Sequence, residues 1–205
     1  MSKIPETLTL KESESLLHFL WNTDKIGFKS WRADRNYTIA LLMLDAGLRV
    51  GEVCRLTPGD LLFNGVPIDS LNVSHEIAEK KCDRLIPLSG RLKDAIQKMQ
   101  IGIWNHFKDP PPKFAFFDWN INKSITARQI QRIVENASEK SIGRKIHPHV
   151  LRHTFGTRLM RITNIRTVQQ LLGHKRLSST EIYTHPNGDD SKKAIDKISS
   201  CEKTC

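Results

Sequence analysis

Apolar residues recur at helical spacing through nearly all of this chain, and the main exception is one stretch, Leu61 to Leu88. A chain patterned this way must bury the stripes of several helices against one another, with room for only a small sheet. Start signals agree with that. Thr9 stands three residues before Glu12, Thr126 three before Gln129 and Ser178 three before Glu181. Each pair reads as a capping box, in which two side chains satisfy the first free N–H groups of a helix. After the Thr9 cap, Leu16, Leu17, Phe19 and Leu20 form an apolar stripe. The spacing next predicts a helix from Ser30 to Asp45 ended by Gly47, and one from Val50 to Leu56 stopped by Thr57-Pro58-Gly59. A further helix over 89–107 and one from Thr126 to about Ile142, closed by Gly143, follow. Between them, Asp109 to Pro112 is a rigid break, and the aromatic stretch after it reads as a buried loop or short extended piece.

His147-Pro148 opens the next helix, with proline where its missing N–H costs nothing. Its apolar side is Val150, Leu151, Phe155, Leu159 and Ile162. Asn164 caps a helix ending at Gly173, and Ser178 starts a short one. Ser191 to Ser199 reads as a terminal helix with a thin apolar strip of Ala194, Ile195 and Ile198. Inside the exceptional stretch, Asn64-Gly65 is a hairpin signal, and Leu71, Val73 and His75 alternate, as do Leu85 to Leu88. The expectation is an α+β, mainly helical fold with a small three-stranded antiparallel sheet.

With 205 residues, 39% of them hydrophobic, the chain can bury one real core. Its net charge of +10 points to a polyanionic partner. Cys54, Cys82, Cys201 and Cys205 form no C-x-x-C pair, so a reducing cytoplasm fits best. The longest apolar run, Ile39 to Leu44, is far too short to span a bilayer, and no membrane partner is expected. Walker loop, acidic metal cluster and glycine-rich phosphate cradle are all lacking. The histidines at 147, 149, 153, 174 and 185 invite zinc, but neither a cysteine set nor H-E-x-x-H accompanies them, so neither metal nor cofactor is expected.

Chemistry-bearing residues concentrate between His147 and His185. His149, Arg152 and His153 form H-x-x-R-H; L-L-G-H ends at His174; Tyr183 follows nine residues later and precedes T-H. His149 and Arg152 share a helix face. Upstream, residues 46–52 read A-G-L-R-V-G-E. In this order and separation, these pieces resemble the C-terminal catalytic domain of the tyrosine recombinases, also called phage integrases. The likeness runs roughly from Thr7 to the end.

The resemblance implies a site-specific DNA recombinase or integrase, of the kind mobile elements carry. Such an enzyme cleaves and rejoins DNA through a 3′-phosphotyrosyl bond, without metal or ATP. Tyr183 would be the nucleophile. Arg49 and Arg152 would hold the phosphate together with His149 and His174, with Glu52 bracing Arg49 and Gly173 making the turn before His174. The general acid would be a lysine in the turn Glu79 to Asp83. A gapless count puts Glu79 in its place; one residue of slack puts Lys80 there, with Lys81 in reserve. Arg128 and Arg132, four apart on one helix face, together with Lys81, would contact DNA, the alternative being a solvated basic face. A phenol, with a pKa of about 10, needs this company to attack a phosphodiester.

The expected organisation is one catalytic domain over 1–205, with a core at 7–190 and a tail at 191–205. The family's N-terminal core-binding domain, about a hundred residues, is expected to be absent. Double-stranded DNA is the expected partner, with self-association into a tetramer on it and a cytoplasmic, nucleoid-associated location. Two other readings stay open: a DNA-binding module or regulator that has lost strand exchange, and a type IB topoisomerase-like enzyme that nicks and relaxes.

Overall fold

The computed structural model describes residues 6–23, 30–79, 82–107, 110–118, 120–174, 176, 178–181 and 183. Helix α1 (Leu10–Asn22) begins as its cap dictates: the Glu12 N–H donates to the Thr9 hydroxyl at 3.2 Å and the Thr9 N–H to the Glu12 carboxylate at 2.8 Å. Helix α2 (Ser30–Leu44) is the centre of the molecule. Its run from Ile39 to Leu44 is no more than 2% exposed at any position, so it is covered on all sides. Helix α1 and four later elements, α3 (Val50–Arg55), α5 (Gly90–Gly102), α6 (Ala127–Ile142) and α7 (Pro148–Met160), supply that cover.

Thr57-Pro58-Gly59 is a start as well as a stop. Thr57 caps a one-turn helix, α4 (Pro58–Leu61), with proline in its first turn and Asp60 completing the box. The antiparallel pairing expected next is present, but it is divided into two ladders. Strand β1 (Leu62–Phe63) pairs with β2 (Val66–Pro67) across Asn64-Gly65, both of which have positive φ. Strand β3 (Ser70–Val73) pairs with β4 (Arg84–Pro87). Pro67 lies opposite Leu62 in a pair that exchanges no backbone hydrogen bond, so its missing N–H costs the first ladder nothing. Ile68 makes one last bond to the Leu61 carbonyl, and the chain passes to its other neighbour when Leu88 donates to the Asp69 carbonyl at 2.8 Å.

After α5 comes a 3-10 turn, Trp104–His106, whose Trp104 indole donates to the Ala115 carbonyl. Ala115, Phe116 and Phe117 are buried, and Phe117 bridges to Ser124, matching the short extended piece expected there. Helices α6 and α7 are followed by α8 (Ile165–Leu172), capped by Asn164, and α9 (Ser178–Glu181). Ser178 lies inside α9 rather than ahead of it. Ile162 is 82% exposed, because α7 ends at Met160 and the turn beyond it faces outward. The helix expected over Ser191–Ser199 lies outside the described residues. Among those described, no helix is long and apolar enough to cross a membrane.

Apolar packing falls into two bodies. The larger contains α2 and its cover; the smaller joins Phe155, Val168, Leu172 and Tyr183. Gly47 meets the smaller body with φ +63°, and a Cβ there would lie 2.3 Å from Phe155 Cδ1. Gly143 also has positive φ, but open space around it. Alanine at 143 should therefore cost only the left-handed backbone penalty, about 1–2 kcal/mol. Gly47→Ala adds displacement of a packed ring and should cost about 3 kcal/mol or more. Urea unfolding of the two variants checks this; equal losses would contradict it.

Candidate active site

Glu52, fully buried in α3, organises the site. Its carboxylate accepts the Arg49 backbone N–H at 2.8 Å and Arg49 Nη1 at 3.0 Å. It also accepts both arms of Arg84 on β4, Nη1 at 3.0 Å and Nη2 at 2.7 Å. Arg152 Nη1 on α7 stands 3.9 Å from the same carboxylate. Burial pushes the Glu52 carboxyl up. The hydrogen bonds and charge of Arg84, the Arg49 N–H and the Arg152 charge outweigh that, and hold it below the usual carboxylate range.

Arg152 is fixed independently. Its Nη1 donates to the Gly47 carbonyl and its Nη2 to the Leu172 carbonyl at 2.6 Å. Burial, and then the charge of Arg49, push its guanidinium down to about 9, so it remains charged at neutral pH but under repulsion. Three guanidiniums around one carboxylate leave a surplus of positive charge in a nearly dry place. A phosphate would relieve that repulsion, and planar forks suit its oxygens.

Tyr183 is 8% exposed and lies against the same region. Burial raises its phenol above the ordinary value, while the charges of Arg152 and Arg49 pull it back. Helix α7 makes room for the ring: a Cβ on Gly156 would lie 2.8 Å from Tyr183 Cζ. One turn earlier on the same face, His153 Nδ1 lies 2.8 Å from Tyr183 Oη. The ring of His174 is nearly parallel to the phenol, at 6.4 Å between centroids. His174 follows Gly173, which ends α8 with φ +61°, and its Nδ1 lies 3.0 Å from Thr180 Oγ1. His149 stands at the exposed rim, stacked on His147 at 5.0 Å. Partial burial and the charges of His147 and Arg152 lower its imidazole below the usual histidine value.

Arg49, Glu52, Arg152, Gly173, His174 and Tyr183 thus come together, with His149 at their edge. Lys80 and Lys81 lie outside the described residues. Their neighbour Glu79 is placed: its carboxylate accepts the Gly51 N–H at 3.1 Å and stands 3.9 Å from Arg49 Nε. Arg128 and Arg132 are exposed on one face of α6. Among the described residues, no group of three or more His, Cys, Asp or Glu side chains is placed to hold a metal ion.

Two residues of the site, Arg84 and His153, have no local signal of their partners in the sequence. Arg84 opens the strand whose alternation is visible from Leu85 to Leu88, and that alternation puts it on the inward face with Ile86 and Leu88, while Leu85 points out at 59% exposed. An arginine at a core position needs a carboxylate, and Glu52 is that carboxylate. The contact of His153 with Tyr183 spans thirty residues of chain and leaves no local signal.

A sequence profile described as the Phage integrase family matches residues 6–189. A protein named tyrosine recombinase from Pseudothermotoga lettingae is 32% identical over 197 residues, covering 96% of this chain and 62% of that protein. The chain thus spans less than two thirds of the length of that relative. The crystal structure of XerA recombinase superposes with a TM-score of 0.70 at 26% identity, covering 97% of this chain and 66% of that one. The Tn1549 transposon integrase, in complex with circular intermediate DNA, gives a TM-score of 0.71 at 25% identity, covering 94% and 66%.

Removing Arg84 should strand a buried carboxylate. Arg84→Met is expected to lower the unfolding free energy at neutral pH by about 3–5 kcal/mol. The sign of the pH dependence follows from Glu52. With its pKa depressed, it stabilises the wild type above the unfolded value of about 4.3, and that contribution is lost as pH falls through the folded value. In the variant the carboxyl is easier to protonate, so the penalty should narrow on acidification. Chemical unfolding at several pH values measures it; a penalty independent of pH would contradict the role of Glu52.

Proposed function

This chain belongs to the phage integrase family, and on that premise we propose that it is a site-specific tyrosine recombinase, breaking and rejoining double-stranded DNA through a phosphotyrosyl intermediate. The observation that carries the reading is the convergence on Glu52. Arg49 and Arg152, far apart in sequence, are drawn into one positive pocket by a single carboxylate, and the phenol of Tyr183 lies within reach of both their charges.

In this reading the arginine forks receive the non-bridging oxygens of the scissile phosphate. They neutralise charge as phosphorus becomes five-coordinate, which is where fixed donors gain most over water. His174, parallel to the phenol, and His149, at the rim, add hydrogen bonds to that state. Tyr183 Oη attacks phosphorus and the 5′-oxygen leaves. The new bond keeps the phosphodiester's energy, so a 5′-hydroxyl from a second strand can reverse the step. Lys80 is the proposed proton donor to the departing oxygen; its sequence neighbour Glu79, which stands 3.9 Å from Arg49 Nε, supports the reading. Arg128 and Arg132 are proposed backbone contacts, and assembly into a tetramer on two duplexes is proposed from the family.

Tyr183→Phe should retain DNA binding and form no covalent adduct on a nicked suicide substrate. A denaturing gel reads this, and an undiminished adduct would remove Tyr183 from the role. A chain that binds duplex but never forms the adduct would be the regulator instead, and relaxation without exchange would mark the topoisomerase-like enzyme. Lys80→Ala should slow cleavage by roughly a hundredfold or more, and more than Lys81→Ala does. A 5′-thio leaving group, which needs no proton, should restore the rate; no recovery would deny the acid role.

A further inference from the structure

Besides its proposed phosphate ligands, the nucleophile has a partner. We infer that His153 takes the proton from Tyr183 as it attacks; the inference rests on the recombinase reading and deepens it. Tyr183 Oη lies 2.8 Å from His153 Nδ1, a direct hydrogen-bond distance. The contact is built in. Gly156, one helical turn beyond His153, leaves the slot that lets the ring lie along α7, and any side chain there would push the phenol away. His153 and Gly156 together therefore set where the oxygen sits.

Among the described residues, the charged and titratable groups around the pair are His149 and Arg152 on α7, Arg49 before α3, and His174 after α8. Burial, His149 and Arg152 hold the His153 imidazole below the usual histidine value, so at neutral pH it is unprotonated and has a lone pair to offer. Burial holds the phenol protonated. With Oη donating, Nδ1 accepts and the ring proton is on Nε2. The pair rests in that state while the site is empty. A bound phosphodiester adds negative charge beside Arg49 and Arg152, and the five-coordinate state adds more. That charge favours an imidazolium nearby, so His153 becomes a stronger base as the bond forms. In cleavage, an Oη lone pair forms the new bond to phosphorus and the phosphorus–O5′ bond breaks. The phenolic proton moves to Nδ1, and the 5′-oxygen leaves with the proton of the general acid. Rejoining reverses each transfer, His153 returning its proton to Oη.

Two measurements test this, the first independent of cleavage. In the full chain with 15N-labelled histidine, the His153 signal at neutral pH should be that of a neutral ring protonated on Nε2. Tyr183→Phe should shift its Nδ1 resonance. A proton on Nδ1 would make His153 the donor and overturn the inference, leaving the recombinase reading intact. The second is single-turnover cleavage of a suicide substrate by His153→Gln, which keeps a polar contact but cannot hold a proton. Its rate should fall by about a hundredfold or more with DNA affinity unchanged. The wild type should lose rate below the ordinary histidine pKa, whereas the variant's rate should rise about tenfold per pH unit through neutrality, as hydroxide replaces the base. Cleavage by the variant near the wild-type rate, or slowed with an unchanged pH profile, would overturn the inference. Absence of any adduct from the wild type would instead overturn the recombinase reading.

Discussion

A carboxylate with no exposure to water holds this site together. Arg49, Arg84 and Arg152 are 7%, 5% and 4% exposed, and cations so dry cannot share a small volume without a compensating charge. Glu52 supplies it and sets geometry at the same time. Arg84 grips both oxygens and, through Nε, the Leu171 carbonyl, so β4 is pinned to α3 and to the end of α8. Arg152 pins α7 to the Gly47 turn and to the neighbouring Leu172 carbonyl. The forks are therefore oriented before an anion arrives, and their reorganisation is not charged to the reaction. One buried carboxylate for three guanidiniums, with the exposed Glu79 only at the edge of Arg49, is also a matter of number. A second buried carboxylate would satisfy the arginines and leave nothing for a phosphate.

Among the described residues, the side chains proposed for catalysis sit mostly at ends of helices. Arg49 is the residue before α3, His174 follows the left-handed Gly173, and Tyr183 follows the short α9. At a helix end the cap fixes the backbone while the side chain escapes the packed face. Arg152 and His153 are the exceptions, and they show what a helix interior offers instead. Adjacent residues point about 100° apart, so one reaches the arginine pocket and the other the phenol.

Much of the fold was legible because local chemistry decides it. The caps at Thr9, Thr126 and Asn164, the glycine at 143 and the Asn64-Gly65 hairpin are where their residue types place them. Thr57-Pro58 misled because the same pair ends one helix and begins another. The single sheet became two ladders because the chain changes neighbours between Ile68 and Asp69, a feature that follows only once pairing partners are known. Of the site, Glu52 as a brace for Arg49 was legible through the family resemblance, Arg49 being the cap residue three positions before it. Arg84 and His153 were not, since their partners lie 32 and 30 residues off. A charged residue in a strand reads as solvent-facing until an inward register is established.

The division of the packing into two bodies has a further meaning. The arginines are anchored to the large core through α3, β4 and the start of α7. Tyr183 belongs to the small one, with Phe155, Val168 and Leu172 as its buried companions. Stability is not uniform across a protein, and an element with few buried apolar contacts opens at lower cost than the core. The proposed phosphate grip and nucleophile thus rest on different packing, joined through α7, the Gly47–Phe155 contact, and the forks of Arg84 and Arg152 reaching the Leu171 and Leu172 carbonyls. An anion pocket that persists while the tyrosine comes and goes would bind DNA without committing to cleavage. In the proposed reaction the timing of attack would then be set at the smaller body, where His153, Gly156 and His174 lie against the phenol.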